Sequence, residues 1–180
     1  MSEEIECLSS RVVYQNRWLR VREDQVRRPS GHRGIYGVVE KPDFVVIAPI
    51  QDGMVYLVEQ YRYPVAGRYW ELPQGSWEDT PGADPEALAA GELREETGLV
   101  ASSIRPVGHL FLAYGFCNQG YHVFHATGLG FAGEQRDAEE EGLVAKAFPL
   151  AEVEAMICRG EIKDATTVAV WGLLKMKGLL

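Results

Sequence analysis

The chain has 180 residues, 46% of them apolar, with three cysteines and a net charge of −8 at neutral pH. This length suits one domain with a substantial core, the acidic balance argues against a protein that binds nucleic acid by neutralising phosphates, and the few, widely spaced cysteines argue against a disulfide framework. No apolar run reaches the roughly 18 residues of a membrane helix and the N-terminus is acidic where a signal peptide is basic, so we expect a soluble, cytoplasmic protein.

Seven apolar or alternating segments predict strands, because each is bounded by turn-forming residues. These segments are residues 11–14, 18–26, 35–39, 44–50, 54–61, 107–113 and 121–126. Asp52 and Gly53 favour a tight antiparallel hairpin between the fourth and fifth, since an Asp-Gly pair readily adopts positive φ. Residues 115–120 and 128–137 are rich in turn formers and predict loops.

Three segments predict helices. Asp84 is a good N-cap, Pro85 suits the first helical position and Gly98 can end the helix, so the first is expected over residues 85–97. The other two are expected over residues 150–159 and from a cap at 164 through 176. Strands, one internal helix, more strands and a helical C-terminus indicate a mixed α/β domain whose sheet is packed by helices.

The negative charge is concentrated in two short islands. Residues 74–96 carry seven acids against one base, and residues 134–141 carry five acids against one base. Together these 31 residues hold a charge of −10, and the rest of the chain is slightly basic. The islands are either solvated surface segments or two halves of a divalent-cation site.

The predicted helix over 85–97 places three glutamates, Glu92, Glu95 and Glu96, on one face beside an apolar stripe. An ordinary surface helix pairs its acids with bases one turn away, but here Arg94 falls on the far side. Such like charges repel unless a cation lies between them. Oxygen ligands suit Mg²⁺ or Mn²⁺ better than zinc, so the face is either a metal site or an acidic solvated surface.

Residues 71–99, ELPQGSWEDTPGADPEALAAGELREETGL, resemble the Nudix box, G-x5-E-x7-R-E-U-x-E-E-x-G-U with U apolar. The stretch 92–99 matches the second half without a gap. In the first half two residues look inserted, so the pattern's first glutamate falls on Ala83 and its arginine on Gly91. The three glutamates that form the family's metal site are present, whereas the residues that support them differ.

Further blocks are similar to one branch of this family, the ADP-ribose and nucleoside-diphosphate-sugar pyrophosphatases. In chain order they are QYRYP at 60–64, WELPQG at 70–75, Gly-Phe at 115–116, ATGL at 126–129 and GEIKDATTVAVWGLLK at 160–175. The resemblance implies the Nudix fold, a mixed β-sheet sandwiched between helices, with a small N-terminal antiparallel sheet. It also implies a homodimer, with residues 1–40 as the dimer-forming β region and residues 41–180 as the hydrolase domain.

The resemblance further implies a divalent-metal-dependent pyrophosphatase that hydrolyses ADP-ribose or a related nucleoside diphosphate sugar to a nucleoside monophosphate and a sugar phosphate. Two or three Mg²⁺ or Mn²⁺ ions would accompany the substrate, because phosphoryl chemistry needs neutralised phosphate oxygens. GDP-mannose, another nucleotide sugar or a dinucleotide stays open as the substrate. So does a non-catalytic Nudix-fold module that binds a metabolite; a structural calcium site lacks the required loop spacing.

The resemblance assigns metal ligands to the helix glutamates and to the backbone carbonyl before the box glycine: Glu92, Glu95, Glu96 and Gln74. The second acidic island would close over the metals and orient or deprotonate the attacking water. Glu139 and Glu141 are the candidates for that catalytic role, followed by Asp137 and Glu140, and Glu95 is a further catalytic candidate.

Substrate binding is implied for Arg62, Glu71 and Phe116. Arg62 would clamp a phosphate or the terminal sugar, or would only stack between neighbouring tyrosines, and Glu71 could be its structural partner. Trp18 and Tyr36 are weaker candidates for stacking on the base. The later histidines are predicted to be packing residues without partners: His109, His122 and His125.

Overall fold

The computed structural model describes residues 4–76, 82–133 and 141–180. The strands are β1 (Glu6–Gln15), β2 (Arg20–Arg27), β3 (Arg33–Glu40), β4 (Phe44–Gln51), β5 (Met54–Arg62), β6 (Gly67–Glu71), β7 (Gln74–Gly75), β8 (Leu99–Phe111), β9 (Gly120–Phe131) and β10 (Val144–Pro149). The helices are α1 (Pro85–Thr97), α2 (Leu150–Cys158) and α3 (Ala165–Met176). None of the helices in these ranges is long and apolar enough to span a bilayer.

The strands form two sheets. β1, β2 and β3 pair antiparallel in a small N-terminal sheet, and the larger sheet has the order β10-β5-β4-β9-β8, with β6 paired to β5 and β7 to β4. In the larger sheet β4 and β9 run parallel, whereas β8–β9, β5–β10 and β4–β5 are antiparallel pairs. This is the mixed α/β arrangement that the sequence predicts.

β4 is an apolar strand buried on both faces, and it lies at the centre of two core clusters. Val45 and Ile47 pack with α1 residues and with β9 in one cluster. Val46 and Ala48 point to the opposite face, where α2 and α3 complete the second cluster. Because successive strand residues alternate between faces, one continuous apolar run lets β4 bind helices on both sides.

The predicted hairpin between β4 and β5 is confirmed. Asp52 and Gly53 have φ values of 52° and 73°, as a type I′ turn requires, and Ile50 pairs with Val55. Pairing between the two strands extends only to the residues next to the turn. Farther along, β7 occupies the edge of β4 and β6 the edge of β5, so the β6–β7 segment lies where the two strands diverge.

All three predicted helices are present, but part of the strand assignment was wrong. Residues 128–131 continue β9, paired with β8, where the sequence predicts a loop. Gly128 has a φ of 66°, and a Cβ there would overlap Ser102, so the glycine makes room within the strand. β6, β7, β10 and the first half of β8 were not predicted. Residues 134–137 of the expected loop lie outside the described residues.

Candidate active site

A cavity of about 780 Å³ lies among β5–β7, α1 and the start of α3. Its wall carries acids from β6, α1 and the cap of α3, and bases from β5 and from the segments before β4 and α3. The acids are Glu71, Glu92, Glu95, Glu96 and Asp164. The bases are Lys41, Arg62 and Lys163. A cavity with both kinds of group suits a ligand that needs its negative charge neutralised at several points.

The start and end of α1 determine which carboxylates reach this cavity. The Asp84 side chain accepts a hydrogen bond from the Ala87 N–H, and Gly98 ends the helix at a φ of 71°. Leu88, Ala89 and Leu93 pack into the core. The adjacent face therefore turns the three glutamates inward: Glu92 is 6% and Glu96 2% exposed, and Glu95 is half-buried.

The short strand β7 contacts the same carboxylates through its backbone. The Gln74 N–H donates a hydrogen bond to Glu96 Oε2 at 2.9 Å. At Gly75 a Cβ would lie 2.5 Å from Glu92 Cδ, so the Glu92 carboxylate occupies space that only glycine leaves free. Gln74 Oε1 is buried and has no hydrogen-bond partner among the described residues.

These features fit a divalent cation. The three carboxylates on the cavity-facing side of α1 form an oxygen-only set, which suits a hard ion such as Mg²⁺. Gln74, whose backbone carbonyl is the predicted ligand, lines the same cavity. Glu92, Glu95, Glu96 and Gln74, the predicted metal ligands, therefore all line one cavity.

Arg62 and Glu71 form an ion pair on the cavity wall, as one of the sequence interpretations anticipates. Arg62 Nε donates to Glu71 Oε2 at 3.1 Å, and the Gln60 amide donates to Glu71 Oε1 at 2.8 Å. The Glu71 side chain is 3% exposed, whereas that of Arg62 is 40% exposed. Burial raises the pKa of the Glu71 carboxyl, and Arg62 opposes that rise.

We expect Arg62→Ala to cost about 3 kcal/mol of unfolding free energy, because it leaves a buried carboxylate without its cation. Glu71→Gln should cost about 1 kcal/mol, because Arg62 can turn to solvent. Because the pKa of Glu71 is raised in the folded protein, its charged form opposes folding at pH values above that folded pKa. Below the unfolded pKa of about 4.3 the carboxyl is protonated in both states, so the penalty disappears. Urea unfolding of both variants should therefore show the Arg62→Ala deficit shrinking as the pH falls toward 4; equal deficits at all pH values would contradict this.

Among the described residues, Phe116 and Glu141 do not line the cavity. Phe116 is 58% exposed, in a segment whose backbone hydrogen-bonds to Val39, and Glu141 is exposed. Glu139 and the alternatives at 137 and 140 lie outside the described residues. Their catalytic and substrate-binding roles stay predictions.

Sequence reasoning missed several residues of the cavity wall. These are Lys41, Gln119, Lys163 and Thr166, with Asp164 as the cap of α3. A signal existed for Lys163, since it immediately precedes that cap within the C-terminal block that carries the family resemblance. Lys41 and Gln119 come from loops that meet through tertiary contacts: the Gln119 amide donates to Pro42 O at 2.7 Å.

The prediction that the later histidines have no partners was wrong for two of them. His109 Nε2 lies 2.8 Å and His122 Nε2 3.8 Å from Asp43 Oδ2. Cross-strand pairing and the loop before β4 bring the three together, which local sequence does not reveal. His125 does behave as a packing residue: its Nε2 is buried without a hydrogen-bond partner among the described residues, and burial lowers its pKa.

Comparisons with known proteins match this architecture. Residues 5–39 match the model of the nucleoside diphosphate sugar hydrolase N-terminal domain, and residues 41–168 match that of the NUDIX domain. The chain is 36% identical over 168 residues to the ADP-ribose pyrophosphatase of Mycobacterium tuberculosis, covering 92% of this chain and 81% of that protein. It is 26% identical over 181 residues to the ADP-ribose pyrophosphatase of Bacillus subtilis, covering 99% and 97%.

Among solved structures, a crystal structure of an ADP compounds hydrolase superposes with a TM-score of 0.85 at 22% identity, covering 99% of this chain and 98% of that one. This likeness confirms the predicted fold, a mixed sheet between helices with a small N-terminal sheet. Because the NUDIX model spans most of the chain, including the helix whose glutamates enter the cavity, the protein belongs to the Nudix hydrolase family.

Proposed function

We propose that the protein is a divalent-metal-dependent pyrophosphatase that hydrolyses ADP-ribose or a related nucleoside diphosphate sugar to a nucleoside monophosphate and a sugar phosphate. One observation carries the proposal: Glu92 and Glu96 are buried against the β7 backbone in a cavity that also presents arginine and lysine. The ADP-ribose pyrophosphatases among the relatives and the matching nucleotide-sugar hydrolase model support the substrate class.

In this proposal Glu92, Glu95, Glu96 and Gln74 hold two or three Mg²⁺ or Mn²⁺ ions. When bound, such ions neutralise phosphate oxygens and lower the pKa of bound water. The Gln74 N–H donates to Oε2 of Glu96. This hydrogen bond fixes the orientation of the carboxylate, and therefore the direction in which Oε1 would face an ion. Gly75 lets the Glu92 carboxylate approach the β7 backbone.

Bases on the cavity wall would bind the diphosphate and the sugar. Arg62 is held by Glu71 while its side chain stays 40% exposed, so its remaining donors can reach a ligand. Lys163 lies over the Tyr69 ring, 5.6 Å from its centroid, which positions its ammonium at the wall. We further propose that Glu139 or Glu141 activates the attacking water and that Phe116 contacts the base, as the family resemblance implies.

The test is a kcat/KM panel of ADP-ribose, ADP-sugars, GDP-mannose and dinucleotides, each with Mg²⁺ and with Mn²⁺. We expect ADP-ribose to give the highest value, with nucleoside monophosphate and sugar phosphate as products. If ADP-ribose raises the melting temperature but no nucleoside monophosphate forms with either metal, the chain is a binding module and the proposed hydrolysis is wrong. A kcat/KM higher for GDP-mannose than for ADP-ribose would make GDP-mannose the preferred substrate.

We also propose that the chain forms a homodimer through its N-terminal β region, residues 1–40. Exposed apolar side chains on that sheet support this: Val12, Tyr14 and Ile35 are 52%, 56% and 62% exposed. Light scattering after gel filtration should give twice the chain mass, and Ile35→Asp should shift the protein toward the monomer. A monomeric wild-type protein would contradict the proposal. The division near residue 40 and the cytoplasmic location stay predictions.

A further inference from the structure

Asp43, His109 and His122 form a second group of metal-ligating side chains, called here the His/Asp cluster. One ligand atom from each lies within 4.8 Å of the others. The two imidazole rings have centroids 4.7 Å apart, and none of the three residues lines the acidic cavity. The cluster is therefore separate from the glutamates of α1.

Strand register builds this cluster. His109 on β8 lies directly opposite His122 on β9, and directly opposed side chains on one face of a sheet are in contact range. The register shifts between Pro106 and Gly108; without this bulge Gly108 would face His122 instead. Bulges commonly re-aim side chains in this way.

The start of β4 supplies the carboxylate. β4 runs parallel to β9 with its first residue, Phe44, paired with Tyr121, which places Asp43 beside the first residues of β9. The Gly120 N–H donates to Asp43 Oδ1 at 2.7 Å, so that oxygen is engaged and Oδ2 faces the two histidines. A Cβ at Gly120 would lie 2.6 Å from His109 Cε1, so glycine leaves the space that the imidazole fills.

We propose that the His/Asp cluster binds one borderline divalent transition-metal ion, with Zn²⁺ as the reference ion, and that water completes its coordination. Two imidazoles and a carboxylate suit such an ion rather than Mg²⁺. Tetrahedral Zn²⁺ with bonds of about 2.05 Å needs ligand atoms about 3.3 Å apart. The separations of 2.8 and 3.8 Å from Asp43 Oδ2 lie on either side of that value, and side-chain exposures of 36–40% give water access.

A bound ion would join three segments next to the cavity wall. Asp43 belongs to the loop that contains Lys41, and Gly120 follows Gln119; both Lys41 and Gln119 line the cavity. His109 Nε2 donates a hydrogen bond to Asp43 Oδ2, since an ionised carboxylate can only accept. An ion coordinated by Asp43, His109 and His122 would replace that hydrogen bond and would link the loop to both β8 and β9. The inference goes beyond the proposed function and does not depend on it.

The test is a Zn²⁺ titration of the metal-stripped full chain by calorimetry, in millimolar Mg²⁺ so that the oxygen-only glutamate site is filled by the harder ion. We expect one Zn²⁺ per chain and a higher melting temperature. Co²⁺ in place of Zn²⁺ should give the visible absorption of an ion bound by nitrogen and oxygen. His122→Ala should weaken binding by about tenfold or more, because it removes one of three protein ligands.

Three further variants separate this site from the glutamates and from misfolding. His32→Ala removes an exposed histidine away from the cluster and should leave Zn²⁺ binding unchanged. His109→Gln keeps a donor for Asp43 but removes the imidazole, so a folded variant with weakened binding supports the assignment. Zn²⁺ binding that survives both His109→Gln and His122→Ala, that disappears in Glu92→Gln, or that is absent from the wild-type chain would overturn it.

Discussion

Glu96→Gln is expected to lower kcat by about three orders of magnitude while the protein stays folded. Metal activation is worth several kcal/mol of barrier and each 1.4 kcal/mol is a factor of ten. Glutamine keeps the size of the side chain and an oxygen that can accept the Gln74 N–H, so the packing of this 2%-exposed residue is retained. What is lost is the negative charge that would hold the cation.

Steady-state kinetics with ADP-ribose and millimolar Mg²⁺, beside circular dichroism and thermal unfolding, would measure this effect. Glu86→Gln is the matched control, because Glu86 lies on the same helix in its exposed first turn and should keep wild-type kcat. Turnover near the wild-type value in Glu96→Gln would show that Glu96 is not a metal ligand.

Gly75→Ala is expected to weaken metal binding and to lower kcat about a hundredfold without unfolding the chain. The new methyl group would overlap the Glu92 carboxylate. A carboxylate at the end of a flexible side chain can swing aside, so the variant stays folded but its Glu92 leaves the position in which it would face a cation. Displacing a ligand by about 1 Å is enough for losses of this size.

The measurement compares the melting temperature with and without Mg²⁺, together with kcat. Ligand binding to the native state raises stability by mass action, so Mg²⁺ should raise the melting temperature of the wild type, and this rise should be strongly reduced in Gly75→Ala. Gly172→Ala adds the same methyl group within α3, where nothing lies within 4 Å, and should keep the full rise. An undiminished rise in Gly75→Ala would show that Glu92 is not a ligand.

Elements whose signals are local could be predicted from the sequence. α1 begins and ends where Asp84, Pro85 and Gly98 predict, and the β4–β5 turn follows from Asp52-Gly53. The short strands β6 and β7 carry no such signal, because they exist only where the diverging edges of β4 and β5 offer unpaired backbone groups. Their pairing is a tertiary property that no window of the sequence contains.

The same distinction applies to the site. Glu92, Glu95 and Glu96 could be placed on one face because helical spacing determines it. Lys41 and Gln119 could not be placed, since each enters the cavity wall from a loop. The His/Asp cluster depends on a one-residue bulge in β8, and a shift of one residue moves a strand's side chains to the opposite face.

The divergence of β4 and β5 gives the cavity a forked geometry. One prong is β4, whose partner β7 contacts the glutamates that we propose bind the metal. The other prong is β5, which ends at Arg62 and whose partner β6 carries Glu71, the ion-pair partner of Arg62. The two prongs join at the Asp52-Gly53 turn. The divergence of the two strands therefore sets the distance between the carboxylates that we propose bind the metal and Arg62, which we propose binds the substrate.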